Sequence, residues 1–152
     1  DITIVDGPLA GVTGRAVTEA IVGHGLAVVV ADDRPDELIR AMFARDVVIG
    51  AVPFNNFLTA DWRQNGGRQS VSLSMVADQI DYLCQIAGDA DHVGIGTDFD
   101  GGFGLQSSPI ELDSIADLPL LLPLLSSRGY TELQLENIAH GNFLRVLQSA
   151  LP

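Results

Sequence analysis

The chain has 152 residues, with 20 Asp plus Glu against 8 basic residues and a formal net charge of −12. Every basic residue is Arg, so a polybasic segment for nucleic acid or anionic lipid is excluded. The 47% hydrophobic content suits a chain with a buried core, no apolar run nears the ~20 residues of a membrane span, and no signal peptide opens the sequence, so the expected location is the cytoplasm. A single cysteine, Cys84, precludes an internal disulfide or a thiolate metal cluster. The length fits one domain of roughly 100 to 150 residues and falls short of the roughly 250 of a complete (β/α)8 barrel.

In chain order, Ile2 to Val5 reads as a strand that stops at Asp6-Gly7-Pro8. Val12, Ala16, Val17, Ala20 and Ile21 recur at helical spacing until Gly23 and Gly25. Leu26 to Ala31 is the β-branched, apolar run of a strand covered on both faces, so the opening reads as one βαβ unit. Asp33 and Pro35 suit the start of a helix with Leu38, Ile39, Met42 and Phe43 as its apolar stripe. Val47 to Val52 is the next strand. The polar segment from Thr59 to Ser70 is where a lid or insertion would sit. A helix follows over 72–87, with Leu73, Val76, Ile80, Leu83 and Ile86 on one face and Gly88 beyond its end.

His92 to Thr97 is a strand with two glycines, and residues 103–116 read as a loop. Leu118 to Ser127 is a leucine-rich helix that Pro123 should kink or break. Thr131 with Gln134 forms a capping box for a helix to about His140, and Asn142 to Ala150 is a closing helix. Strands alternating with helices predict a parallel α/β sheet.

The chemistry concentrates in Asp91 to Gly102, DHVGIGTDFDGG. Asp98 follows the predicted end of a strand, the edge where α/β barrels carry catalytic groups, and a carboxylate there ligates a cation or moves a proton. The glycines before it would let a substrate or metal cluster approach the backbone. Asp100, ahead of two glycines, reads as a turn residue.

DHVGIGTDFDGG, the VADQIDYLCQIAG before it and LPLLLPLLSSRGYTELQLENIAHGNFLRVL after it resemble the C-terminal part of the renal or membrane dipeptidase family of zinc metallopeptidases. PDELIRAMFARDVVIG and FNNFL resemble it too, so the likeness runs over about residues 35–147. It implies the C-terminal half of a (β/α)8 barrel over 35–152, a two-zinc site and hydrolysis of dipeptide substrates, in which a metal-bridging hydroxide attacks the scissile carbonyl. Asp98 matches the family's aspartate beside the bridging water and the substrate amino group, which implies acid/base work and amine recognition. His92 and His140 read as structural.

The family's His-x-Asp pair occurs nowhere in this chain, and no residue can be assigned as the bridging glutamate. A lone Asp98 cannot hold two metals, because such a site needs several convergent donors. GHGLAVVVADDR approximates the family's spacing of a last metal histidine and a substrate-carboxylate arginine, which makes His24 a candidate ligand and Arg34 a candidate clamp. The expectation is an incomplete chain that lacks most metal ligands and self-associates through uncovered strand edges.

Residues 1–34 also resemble the opening βαβ unit of short-chain dehydrogenases. In that alternative Gly7, Gly11 and Gly14 admit the pyrophosphate of NAD and Asp32 or Asp33 holds the ribose, giving a Rossmann-like unit of an oxidoreductase. That family's Tyr-x-x-x-Lys pair is absent, since the chain has no Lys. A non-catalytic chain that acts by pairing with another is the third possibility.

Overall fold

The computed structural model describes residues 2–3, 13–14, 26–28, 36–99 and 102–151. Three short strands come from the first part of the chain: β1 (Ile2–Thr3), β2 (Thr13–Gly14) and β3 (Leu26–Val28). β1 and β2 pair antiparallel, with Ile2 opposite Gly14, whereas β3 joins a separate sheet. A βαβ opening needs β1 parallel to the strand after its helix. Among the described strands β1 is not paired with β3, and Gly14 lies in the antiparallel pair. The helix expected from Val12 also excludes Thr13 and Gly14. Gly7, Gly11, His24, Asp32, Asp33, Arg34 and Asp100 lie outside the described residues.

From Asp36 onward the chain builds an α/β layer. Helix α1 (Asp36–Phe43) buries Leu38, Ile39, Met42 and Phe43, the stripe expected from the sequence. It leads into β4 (Val48–Ala51), all of whose residues are buried. After the short helix α2 (Asn55–Leu58) and a 3-10 turn over Gly67–Ser70, helix α3 (Leu73–Ala87) returns the chain to β5 (Val93–Ile95). α3 buries Leu73, Val76, Ile80, Leu83 and Ile86 and stops at Gly88, whose φ of 86° suits a residue without Cβ. β3, β4 and β5 are parallel and adjacent, with Val28 opposite Gly50 and Gly50 opposite Gly94. β3 and β5 lie on either side of β4, so among the described residues each has a partner along one edge only.

Alternation along a strand sends Ile49, Ala51 and Val93 to one face and Gly50 and Gly94 to the other. The first set joins the core with α1 and α3. The second face receives α6 (Asn142–Ala150), which touches all three strands. A Cβ on Gly94 would lie 2.4 Å from the Phe143 ring, and one on Gly50 would lie 3.4 Å from it. The described sheet is thus covered by helices on both faces.

The C-terminal helices differ from the sequence expectation in their joins. Residues Ile115–Leu120 form a 3-10 helix and α4 (Leu121–Ser127) begins only at Leu121. Pro123 falls in the first turn of α4, where its missing N–H costs no intrahelical bond, so it does not break the helix. Thr131 Oγ1 accepts from the Gln134 N–H and Gln134 Oε1 accepts from the Thr131 N–H, as the capping box requires, opening α5 (Glu132–Glu136). A π-helical turn over Asn137–Gly141 then joins α5 to α6 without a cap. No helix among the described residues is long and apolar enough to cross a membrane.

Candidate functional site

Parallel strands put the ends of β3, β4 and β5 on one edge, and Asp98 stands just past the end of β5. It is half-buried and its φ is 49°, a left-handed conformation that Asp tolerates better than most residues. Asp46 and Asp61 share that backbone region, so the conformation alone does not distinguish Asp98.

The glycines before Asp98 do not open a path to a ligand. Gly94 receives the Phe143 ring, and a Cβ on Gly96 would lie 3.2 Å from the Gly50 Cα. Their role is close packing between two strands and α6, which corrects the expectation drawn from the sequence.

Four phenylalanines cluster at the segments that follow β4 and β5. Phe54, just past β4, stacks on Phe103 at 4.5 Å and meets Phe57 edge-on at 4.6 Å. Phe99 meets Phe103 edge-on at 6.3 Å. Beside them lies a cavity of about 280 Å³ lined by Phe99, Phe103, Leu105, Ser108 and Leu112, with Asp113 and Ser114 also in its lining.

The polar segment read as a lid braces this wall instead. Arg68 donates from Nε to the Ser108 carbonyl at 3.2 Å, and the two N–H groups of its Nη2 are shared among the carbonyls of Pro109, Ile110 and Leu112, each 3.0 Å away. The same nitrogen pairs with Asp113 at 2.8 Å. Asn55, fully buried, donates to the Ser108 carbonyl at 3.2 Å, while its Oδ1 is buried with no hydrogen-bond partner. Glu111 completes the loop by accepting the Leu73 N–H at 2.8 Å, which caps α3 from a distant segment.

The opposite edge is structural. His92 sits before β5, with Nδ1 3.0 Å from Asp89 and Nε2 3.5 Å from Asp46, and its ring faces Phe43 at 5.4 Å. Burial raises the Asp89 pKa, but hydrogen bonds from His92 and the Asp91 N–H outweigh it and hold the carboxyl below its ordinary range. Arg145 pairs with Asp46 at 2.7 Å and donates to the Asp91 carbonyl at 2.8 Å. Buried Asn142 donates to the carbonyls of Ala90 at 2.7 Å and Val93 at 2.8 Å, fixing α6 to the start of β5. His92 is thus structural, as the sequence suggested. His140 is exposed in the π turn and caps nothing.

A second cleft, of about 390 Å³, lies between α3 and the α4–α5 connection and is lined by Asp81, Cys84, Arg128 and Tyr130 among others. Its charged groups are engaged with each other: Arg128 pairs with Asp81 and, at 2.6 Å, with Asp78, and Tyr130 donates to Asp81 at 2.8 Å. Burial pushes the Cys84 thiol up against the opposing hydrogen bond of Tyr130, so it is a poor nucleophile.

A two-zinc centre does not fit the donors described. Among the described residues no three His, Cys, Asp or Glu side chains converge. His24 lies outside them.

A model of the membrane dipeptidase family, peptidase family M19, matches residues 18–151. The chain belongs to that family. The match takes in His24 and Arg34 as well as Asp98. Over 114 residues the chain is 38% identical to an uncharacterized protein in the pqqA 5′ region of Klebsiella pneumoniae, covering 75% of this chain and 39% of that protein. It is 41% identical over 75 residues to dipeptidase ataJ of Aspergillus terreus, covering 49% of this chain and 17% of that one. Among solved structures, a metallo peptidase from Rhodobacter sphaeroides, liganded with a phosphinate mimic of the dipeptide L-Ala-D-Ala, matches with a TM-score of 0.65 at 25% identity. That match covers 76% of this chain and 31% of that one. This dipeptidase-family chain therefore spans about two fifths or less of the relatives it matches.

Nothing in the sequence pattern marked Arg68, Asn55, Glu111 or Asn142 as site supports. The signal available was weak: polar residues at positions flanked by apolar runs, where burial requires a partner.

Proposed function

We propose that this protein takes part in the hydrolysis of dipeptides and that Asp98 is the group of this chain that meets the substrate. The observation that carries the reading is the position of Asp98 past the end of β5, on the edge shared by three parallel strands, in a chain of the membrane dipeptidase family. Asp98 is only partly buried, and an ionised carboxylate there meets a protonated amine through a charge-assisted hydrogen bond. A carboxylate in reach of a breaking amide takes the proton that the attacking water gives up and passes it to the leaving amine. Activation of the attacking water is not assigned to any described residue, because they supply no metal-ligand set.

The proposal includes a (β/α)8 architecture, in which β3, β4 and β5 are successive strands joined by α1 and α3; the likeness to the Rhodobacter sphaeroides peptidase supports it. It also includes self-association. The outer edges of β3 and β5 lack a strand partner among the described residues, and Leu144, Leu147 and Leu151 expose one side of α6 and its C-terminal end. A single monomer mass by light scattering, with a cooperative thermal transition, would refute the association.

The test of the amine role is a binding titration of dipeptides against the chain and against Asp98→Asn. Binding about tenfold weaker in the variant, and lost on N-acetylation of the dipeptide, is expected. Equal affinity for free and acetylated dipeptides in both proteins overturns it.

A further inference from the structure

We propose that the cavity beside Asp98 binds one apolar side chain of the ligand whose amino group Asp98 meets, and so sets which dipeptides are preferred. This rests on the dipeptide reading and adds to it the class of side chain.

Position is the first argument. Phe99, the residue after Asp98, forms part of the cavity wall, which sets the cavity next to Asp98 along the chain.

The second argument is what the wall offers. Phe99, Phe103, Leu105 and Leu112 present carbon. The Ser108 hydroxyl is turned to the carbonyls of Leu105 at 2.9 Å and Leu112 at 3.1 Å, and its own carbonyl accepts from Asn55 and Arg68. Asp113 pairs with Arg68. Ser114 is engaged in a capping box with Asp117 and the Ala116 N–H. The Ser108 hydroxyl, one Asp113 oxygen and the Ser114 hydroxyl and N–H thus have partners within the chain, whereas an apolar ligand group needs none.

Size is the third. About 280 Å³ leaves ample room for one branched or aromatic side chain. The brace from Arg68 fixes one wall, while Leu105, 49% exposed, stands where an entering side chain would cover it.

The experiment is a titration of the whole chain, carrying 13C-labelled leucine methyl groups, with Gly-Gly, Leu-Gly, Phe-Gly and 3-methylbutylamine. Leu-Gly and Phe-Gly are expected to bind about tenfold or more tightly than Gly-Gly and to shift the Leu105 and Leu112 methyl signals. Leu105→Ala should cut that preference about threefold, with the far-UV spectrum unchanged. Equal affinity for Gly-Gly and Leu-Gly with unmoved methyls overturns the cavity assignment and leaves the dipeptide reading standing. Methyl shifts from 3-methylbutylamine with no dipeptide binding support the cavity and overturn the dipeptide reading.

Discussion

Replacing Gly94 by Ala tests whether the strand that leads to Asp98 is held by its packing on α6. The added Cβ would meet Phe143 at 2.4 Å on one ring carbon and 2.9 Å on two others. Carbon pairs are most stable at about 3.5–4.0 Å, so the ring must retreat by about 1 Å. α6 cannot easily carry it away, because the preceding residue, Asn142, is tied to the carbonyls of Ala90 and Val93, and Arg145 to that of Asp91. Overpacking of this kind costs about 1–3 kcal/mol. The lower chain entropy of Ala in a strand returns about 0.5–1 kcal/mol. The expected net loss is about 1–2 kcal/mol, or a fall in Tm of about 2–8 °C for a chain of this size. Urea unfolding followed by far-UV circular dichroism measures it, and a double-mutant cycle with Phe143→Ala isolates the cause. In the Phe143→Ala background Gly94→Ala should be neutral or stabilising. A cost that is the same with and without the ring refutes the argument.

Three further outcomes are expected. Asn142→Ala leaves two buried carbonyls without their donor and should cost about 2–4 kcal/mol in the same urea assay, with a neutral result refuting the tie between α6 and β5. The depressed Asp89 carboxyl contributes stability that is present above its unfolded value of about 3.9 and is lost as pH falls through the lower folded value. Asp89→Asn should therefore lower Tm at pH 6 more than at pH 3, and parallel curves of Tm against pH would contradict the assignment. After dialysis against buffer, metal analysis should find no stoichiometric pair of zinc ions on the isolated chain, because the described residues hold no convergent donor set; two tightly held zincs per chain would show that donors outside them complete a site.

What the sequence alone determined is local. The apolar stripes of α1 and α3, the stop at Gly88, the buried runs of β4 and β5 and the Thr131–Gln134 box each lie within one segment, where side-chain period and cap chemistry act over a few residues. The family resemblance was legible for the same reason, as a contiguous motif. The tertiary structure decided everything that joins distant segments. Glycines that look like room for a ligand receive Phe143 from 49 residues away along the chain in the case of Gly94, and Glu111 caps a helix that begins at Leu73. The segment that reads as a lid becomes a brace because Arg68 reaches the carbonyls of residues 108–112. The short β1–β2 pair likewise depends on which strand finds which partner. Such pairings depend on the path of the chain and on the need of buried polar groups for partners, and neither is written in the spacing of residues within a segment.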